Sequence, residues 1–557
     1  MSTVSRFLVL LFHLAGLLAA QQSSKAPEDD HFFGVPGERG SFRAGFGSRS
    51  AGLLWLQATD HYRTLADSQH EEHQTSDYLL LVNHDQNVAL RVSQPAGSAF
   101  AKDPSYADWE FEAADGRVAF TLDDGQGLVL VKELLHVPEQ RGFELKLTLR
   151  NTGYDQGGTQ EFSLLGPALR VPQQAGLFGE VAVSIAAPVD GDAVHVAPSK
   201  EGKVQSLEVA PQLLSFAGST NRFFGAFLYP KSDSDRAAMT GLDVVTVAPL
   251  QAGEVAENLT SQVRYGLKMV IPARGQETSL SYGLYLGPKS FRVFDELEDP
   301  ERFAPILDVD LNPPCCGIDV PGGRLMAKFL IGLLGTFYDL LGNWGFAIIL
   351  LTILVRGSMF PLNFRMQKSM RAYGSKMAKL KPQMDAMKTR YGDDQKGYQQ
   401  AMIKFQREHK IMPPIGGCLP IFLTMPIYLG LFTALRTAYD LRQQPWLFWI
   451  EDLSVSDTLM SLDFYPGALN LLPLLWMALF VFMTLRQPLP TDPQQRQMQM
   501  IMRFMPIMFG LMLYNYASAL LLYMVTSMLW SLVESSIVKK ILGPMDPNAS
   551  AMAPTPM

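Results

Sequence analysis

Two patterns of hydrophobic and polar positions divide this chain of 557 residues. From 21 to 323, short alternating runs such as FELKLTLR (143–150) and RVAFTL (117–122) lie between stretches rich in Gly and Pro. Period-two alternation bounded by turn residues is typical of antiparallel strands with one buried face. The first region is therefore predicted to be a large β-sandwich-like domain.

Residues 1–20 form a separate apolar segment. After MSTVSR the chain continues FLVLLFHLAGLLAA, which is shorter than the roughly twenty apolar residues that a full membrane span needs. This length is typical of a signal peptide, and an uncleaved anchor is the alternative. In either case the domain at 21–323 is predicted to be exported.

After residue 323 the pattern changes to long apolar runs. Residues 324–341 form an amphipathic stretch closed by Gly342, and we expect an interfacial helix there because joining it to the next run would exceed the bilayer thickness. The expected segments that follow are a span at 342–364, a helical hairpin at 365–414, four further spans within 415–543 and a short tail at 544–557. The five predicted spans themselves cover 344–362, 415–435, 467–485, 504–514 and 520–538. The fold class is thus an all-α core of five spans plus an exported β domain.

The uneven distribution of charge predicts the orientation of these spans. The net charge is −7, but the loop 365–414 has twelve Lys and Arg against four Asp and Glu, an excess of +8, so the rest of the chain sums to −15. The loop 436–466 has two Arg against five acidic residues, and the loop 486–503 has three Arg against one Asp. Since basic loops stay in the cytoplasm, the hairpin is predicted inside and the β domain outside.

Arg356 stands inside the first predicted span, where a charge costs about 2.5 to 3.5 kcal/mol and indicates function. It follows the interfacial Trp344 by twelve residues, which places it about 18 Å into the bilayer core. Snorkelling to the headgroups is the structural alternative. Thr352 lies one turn earlier on the same helix face. Other polar side chains are candidates for a shared cavity with Arg356: Asn515, Tyr523, Thr526 and Ser527.

The basic loop has apolar residues at alternating spacings of four and three, which predicts an antiparallel helical hairpin kinked at Pro382. Its Met-rich seam and basic face suit docking of apolar segments, anionic lipid or ribosomal RNA, and an ordinary structural coiled-coil hairpin is equally compatible with the pattern. The candidate docking residues are Met366, Met370, Met377, Met384, Met387, Lys379, Lys381 and Arg390.

Few residues indicate other chemistry. HEEH at 70–73 lacks the HExxH spacing of a zinc site, so a solvated polar stretch is favoured over a metal site. Cys315, Cys316 and Cys418 lack the spacing of a zinc site and are too few for a disulfide framework. No P-loop, GxSxG or CxxC motif occurs in the exported region. We therefore expect no enzyme, catalytic residue, metal or cofactor.

The second half resembles the YidC/Oxa family of membrane protein insertases. The motifs recur in family order over about 215 residues: GNWGFAIILLTILVRGSMFPL (342–362), KPQMDAMKTRYGDD (381–394), PPIGGCLPIFLTMPIYLGLF (413–432), LRQQPWLFWIEDLS (441–454), TDPQQ (491–495) and FMPIMF (504–509). The first region is similar in size and position, and in YLGPKSFRVFDEL (285–297), to the periplasmic β-supersandwich of bacterial members. The turn Ala517-Ser518-Ala519, Met524 and the weakly basic tail depart from the family pattern.

The resemblance implies a membrane insertase and chaperone in the bacterial inner membrane. A hydrophilic groove would receive nascent membrane proteins, with Arg356, Thr352 and Tyr523 at groove positions, and the polar pattern of the last span adds Ser527 to the candidate groove residues. The implied partners are membrane lipids, a Sec-type translocase and the ribosome, and no DNA. A transporter or channel with an exported ligand-binding domain is the main alternative, although no internal repeat supports it. A β domain that is merely anchored is the second alternative, but an anchor needs only one span.

Overall fold

The computed structural model describes residues 30–47, 49–70, 72–83, 88–170, 182–198, 203–247, 260–310, 323–392, 394–409, 419–461, 468–486 and 493–543. The signal-like segment 1–20, the tail 544–557 and the three cysteines lie outside the described residues. The expectations for these parts therefore remain predictions.

The first region is built of β-strands. In order along the chain they are β1 Asp30–Phe33, β2 Phe42–Gly47, β3 Gly52–Tyr62, β4 Tyr78–Asn83, β5 Val92–Ser93, β6 Glu110–Ala114, β7 Arg117–Asp123, β8 Leu128–Val137, β9 Gly142–Asn151, β10 Thr159–Leu165, β11 Val183–Pro188, β12 Val194–Val196, β13 Val204–Ser206, β14 Leu214–Thr220, β15 Phe224–Pro230, β16 Met239–Val247, β17 Thr260–Val270 and β18 Glu277–Pro288. Short helices at Leu65–Ser68, Asp233–Ala237, Phe291–Phe294 and Ala304–Asp310 complete it. The prediction of a β-rich first region is confirmed.

These strands form three antiparallel sheets. Their orders are β1-β2-β3-β4, then β13-β16-β17-β10-β5, and a nine-stranded sheet β12-β11-β14-β15-β18-β9-β8-β7-β6. The runs 117–122 and 143–150 lie in β7 and β9, on either side of β8, with Val131 opposite Thr148. One cluster of buried apolar residues, including Phe42, Phe120 and Tyr265, draws on all three sheets. The apolar faces that the alternation creates thus meet in a common core.

Within the described residues of the second region the structure has seven helices: α1 Gly323–Leu341, α2 Trp344–Tyr391, α3 Gln395–Glu408, α4 Leu419–Thr437, α5 Leu471–Leu485, α6 Pro493–Met512 and α7 Ser518–Leu542. A small hairpin of β19 Thr458–Ser461 and β20 Ala468–Asn470 precedes α5. Within the described residues, Trp344–Ser369 of α2 and Ser518–Leu542 of α7 are long and apolar enough to cross a membrane. Leu471–Leu485 and Arg503–Met512 are apolar but shorter. Helices occur in all five predicted stretches, and two of them meet the length of a span.

The boundary between the first span and the hairpin differs from the prediction. We expected a span ending near residue 362 and a separate kinked arm, whereas α2 is one helix of 48 residues that contains both Pro361 and Pro382. Each proline removes one backbone donor, but the flanking turns keep their hydrogen bonds, so the helix assignment continues. The first arm of the hairpin is therefore an extension of the span. The chain turns at Gly392, where φ is +49° and a residue without Cβ is favoured.

One face of α1 packs against the other helices, and another face is exposed. Ala327, Leu330 and Leu334 are buried against the bundle, while Leu325 and Phe329 on other faces are 75% and 62% exposed. The expected amphipathic helix is present, and its exposed apolar face is of the kind that lies in a membrane interface.

The two regions contact each other at the end of α4, in the loop between α4 and β19, and at α1, where Arg292 pairs with Asp339 at 2.8 Å. Arg442 and Gln443 of this loop both donate to the carbonyl of Tyr62 at the end of β3. Arg222, just before β15, donates from Nε to the carbonyl of Arg436 at 2.6 Å. Ser290 donates to Asp440 at 2.8 Å. We call this set the interdomain contact, and it fixes the β domain at the end of the helical bundle where α4 ends and α7 begins.

Candidate functional site

Arg356 is buried inside the helical bundle. It lies in α2, its exposed fraction is 8%, and its guanidinium carbon stands 5.0 Å from the centre of the Tyr428 ring of α4. A cation over an aromatic face is attracted by the ring quadrupole, by about 2 kcal/mol or more where water is excluded. Such a contact offsets much of the desolvation of a charge within a span.

Tyr428 and Tyr523 connect Arg356 to the last helix. Their ring centres are 6.3 Å apart, and the exposed fraction of Tyr523 is 6%. Thr352, one turn before Arg356, is buried, and its hydroxyl donates to the carbonyl of Ile348 at 2.6 Å. Ser527 lies one turn after Tyr523, and its buried Oγ has no hydrogen-bond partner among the described residues.

The structure thus brings together the four groove positions chosen from the sequence, but not the whole candidate cavity. Asn515 lies elsewhere, where its Oδ1 accepts from Asn470 Nδ2 at 3.1 Å before α5. Thr526 is only half-buried and lies on another face of α7 from Ser527. The side chain of Asn515 therefore belongs to the loop contacts at the end of the bundle.

A buried carboxylate completes the site on the other side of Arg356. Glu534 lies in α7, is 2% exposed, and accepts from Gln367 Nε2 of α2 at 3.4 Å. Its Oε2 atom is buried with no hydrogen-bond partner among the described residues. Arg356 acts on it electrostatically, and Asn363 lies beside the same carboxylate. We call the line of buried and half-buried polar side chains between α2, α4 and α7 the polar seam: Thr352, Arg356, Gln367, Tyr428, Tyr523, Ser527 and Glu534.

Tyr428 and Glu534 were missed by the sequence analysis for different reasons. Glu534 is a charged residue within an apolar run, so the rule that singles out Arg356 applies to it as well. Tyr428 sits in the run IFLTMPIYLGLF, where a tyrosine carries no signal of its own. Its position against Arg356 depends on how two helices pack, which a single sequence does not specify.

The polar seam holds two groups of opposite charge among buried and half-buried polar side chains. One positive group lies against tyrosines, and one negative group lies nearer the end of α7, close to Gln367. Interactions between charges are several times stronger there than in water because the local dielectric is low. The two buried charges therefore act on each other through the interior of the bundle.

The hairpin candidates are only partly described. Met366, Met384 and Met387 are half-buried and Arg390 is exposed. The side chains of four other candidates lie outside the described residues: Met370, Met377, Lys379 and Lys381. The base of the hairpin is fixed to the last helix, because Arg371 donates to the carbonyl of Gly543 at 2.7 Å.

The histidine-rich stretch of the β domain is held by hydrogen bonds. One oxygen, one nitrogen and one oxygen from Asp67, His70 and Asp77 lie within 4.8 Å of one another, a spacing that a metal ion could share. Each already has a protein partner, since Asp67 accepts from the backbone of Thr64 and Asp77 accepts from Gln74 and faces His70 Nδ1 at 3.0 Å. These contacts favour the polar-stretch interpretation over a metal site.

Within the described residues two helices are long enough to cross a membrane, and Arg356 and Glu534 are both buried between helices, a combination typical of α-helical membrane proteins with a polar interior. Within that class, residues 336–544 match the model of the "60Kd inner membrane protein" family. The resemblance of the second half to the YidC/Oxa family is thereby confirmed.

Curated relatives agree with this match. The chain is 36% identical over 264 residues to "Membrane protein insertase YidC" of Pseudoalteromonas atlantica, covering 47% of this chain and 43% of the relative. Proteins of the same name from Laribacter hongkongensis and Neisseria meningitidis are 34% and 35% identical, covering 49% and 47% of this chain and 44% and 42% of those proteins. The chain thus matches less than half the length of these relatives. A solved structure of HI1317 aligns with 47% of this chain and 97% of its own at 8% identity and a TM-score of 0.25.

Proposed function

We propose that this chain is a membrane protein insertase and chaperone. The observation that carries the proposal is Arg356, buried beside Tyr428 and Tyr523 between three helices of the bundle. The match of 336–544 to an inner membrane protein family and the names of the curated relatives support it.

The mechanism needs no nucleotide. An apolar client helix gains about 0.8 kcal/mol for each CH₂ that leaves water, so its own burial drives insertion. The barrier is the polar flank of the client, which has to cross the bilayer. A polar seam that reaches partway through the membrane lowers this barrier. Arg356 attracts acidic groups in the flank, and a membrane potential positive outside adds about 2.3 kcal/mol per negative charge per 100 mV.

The proposed topology follows from the charge of the loops. Five spans place the hairpin in the cytoplasm and the β domain in the periplasm of a bacterial inner membrane. The hairpin then meets incoming clients, with lipid headgroups, a ribosome or a Sec-type translocase as partners. Its half-buried methionines and exposed Arg390 are suited to adaptable apolar and electrostatic contacts.

The test is insertion of a single-span client with an acidic flank into liposomes that contain only this purified chain. We expect a protease-protected client above the level of empty liposomes. Arg356→Ala should slow insertion about tenfold, which corresponds to a loss of about 1.4 kcal/mol. Arg356→Lys should remain close to wild type, since the proposal invokes charge rather than bidentate geometry.

Two outcomes count against the proposal. Equal loss in both variants would contradict the electrostatic role of Arg356, and protection at the level of empty liposomes would contradict autonomous insertion. A transporter would instead pass a small solute into sealed liposomes without any client, so solute flux measured in the same vesicles separates the two functions.

A further inference from the structure

Glu534 is the one charged residue of the polar seam that the proposed mechanism does not use. It lies seven residues after Ser527, which is two helical turns, and so on the same face of α7. Its partners Asn363 and Gln367 lie seven and eleven residues after Arg356 on α2, or about 10 to 16 Å further along the helix axis at 1.5 Å per residue. The two charges of the seam are therefore separated along the path from the cytoplasmic hairpin to the interior.

The environment of Glu534 does not explain it as a purely structural residue. A buried carboxylate without a full set of donors is costly, and an uncharged residue of similar shape would bond Gln367 equally well. Here the hydrogen bond from Gln367 is long, at 3.4 Å, Asn363 adds a second amide contact to the carboxylate, and Oε2 is buried without a partner among the described residues. The field of Arg356 reaches this carboxylate and partly compensates it.

We propose that Glu534 is a specificity-determining residue that sets the charge preference of the seam. Its negative charge repels acidic client flanks that approach Arg356 from the hairpin side, and it attracts basic residues that stop short of Arg356. It also balances the field of Arg356 while no client is present. Discrimination by such a repulsive element is a general route to specificity, because like charges brought together in a low dielectric are strongly disfavoured. This inference rests on the proposed insertase function.

The experiment uses the full chain in liposomes with three versions of one single-span client. Their flanks carry Asp-Asp, Asn-Asn or Lys-Lys at the same two positions, and the protease-protected fraction is followed over time. For Glu534→Gln we expect the Asp-Asp client to insert about threefold faster and the Lys-Lys client about threefold more slowly than with wild type, while the Asn-Asn client stays unchanged.

Two further variants separate charge from packing. Gln367→Leu removes the hydrogen bond but keeps the carboxylate, so the wild-type order of the three clients should remain. Glu534→Asp keeps the charge on a shorter side chain and should restore the wild-type order if Glu534→Gln changes it. Thermal melting of each purified variant shows whether it is folded, and Glu534→Ala, which also removes the charge, carries the test should the Gln variant not fold.

The outcomes are distinguishable. Opposite changes for the acidic and basic clients support the inference. Equal changes for all three clients, or none, overturn it and leave the insertase proposal intact. If the Asn-Asn client is not protected above empty liposomes with wild-type protein, the proposed function fails, and the inference fails with it.

Discussion

Arg356 illustrates how much a single residue type reveals when its surroundings are apolar. A charge retained in a stretch such as AIILLTILVRGSMFPL needs a compensating environment, and the structure provides the ring of Tyr428 and the field of Glu534. The rule that located Arg356 would also have located Glu534. That rule could not identify Tyr428, because Tyr428 is uncharged and its partner Arg356 lies in another helix. The packing of two helices depends on residues far apart in the sequence.

Lys132 is a second buried cation, in the β domain. It lies in β8 with no exposed surface, and its ammonium donates to the carbonyls of Ala51 and Leu90. Both acceptors have positive φ, +49° and +58°, so the lysine holds two turns in a backbone conformation that such residues rarely adopt. Burial lowers the pKa of Lys132 to about 7.

We predict that Lys132→Met destabilises the protein by about 2 kcal/mol at pH 7, because two buried carbonyls lose their donor. The folded-state pKa lies below the ordinary 10.5, so the unfolded chain binds more protons between these values and wild-type stability rises from pH 7 towards pH 10. The deficit of the variant should therefore widen in that range. Melting curves of both proteins in detergent at pH 7 and pH 9.5 measure it, and a deficit that shrinks with pH would contradict this account.

His61 is a buried titratable group within the interdomain contact. Burial, opposed by Asp60 and assisted by the positive charges of Arg442 and Arg141, lowers the pKa of His61 to about 4. Its Nδ1 faces the hydroxyl of Tyr439 at 3.4 Å. The imidazole is thus neutral in the folded protein at pH 7.

We predict that acidification from pH 6.5 to pH 4 destabilises the wild-type protein by about 3 kcal/mol through His61 alone. The unfolded chain binds a proton near pH 6.5 that the folded chain takes up only near pH 4, so stability is lost as the pH falls between these values. His61→Gln removes the titration, and its melting temperature should fall less over the same range. Parallel pH profiles of the two proteins would show that His61 is not the source.

At the scale of elements, local patterns predicted the presence of strands and helices better than the residues at which they begin and end. The runs 117–122 and 143–150 lie in strands because their alternation creates one apolar face each. Pro361 and the change to basic residues suggested a boundary between two helices, whereas α2 continues through both. A helix continues through such positions when its neighbours supply packing, and packing is not visible in a local window.

The continuity of α2 couples the hairpin to the interior of the bundle. Gln367 and Arg371, at the base of the hairpin, bond to Glu534 and to the carbonyl of Gly543 on the last helix. A movement of the hairpin would therefore shift Gln367 and change its contact with Glu534. In the proposed topology this contact lies at the end of the polar seam nearest the cytoplasm.

We predict that replacing residues 376–408 by a short Gly-Ser linker abolishes insertion while the bundle stays folded, since Arg371 and Gln367 are retained. Insertion into liposomes and the melting temperature of the purified variant measure the two effects. A matched variant keeps the hairpin but changes the exposed Arg390, Lys396 and Lys404 to Gln. It should lose less activity than the deletion if the methionine seam contributes, and a fully active deletion variant would remove the hairpin from the mechanism.

At the scale of the whole molecule, the order of strands in the sheets and the contact between the two regions could not be predicted from the sequence. The neighbours β18 and β9 are separated by more than a hundred residues, and their pairing depends on the assembled core. The interdomain contact likewise consists of single polar residues scattered over both regions, such as Ser290 and Asp440. None of these residues belongs to a motif, so no local pattern marks them.

The interdomain contact predicts that the β domain can be locked onto the bundle without loss of insertion, because it binds the loop after α4 rather than the polar seam. In a chain with its three native cysteines changed to Ser, Ser290→Cys with Asp440→Cys should be crosslinked by a short bifunctional thiol reagent, since the two native side chains approach to 2.8 Å. Asp457→Cys in place of Asp440→Cys is the matched control, because Asp457 instead accepts from the backbone at the start of α5. Intact mass after thiol alkylation measures the crosslink, and insertion by the crosslinked protein should equal that of the same protein before crosslinking. A pair that stays uncrosslinked in liposomes would show that this contact is not formed in the membrane, whereas a crosslink that stops insertion would show that the β domain has to move for clients to enter.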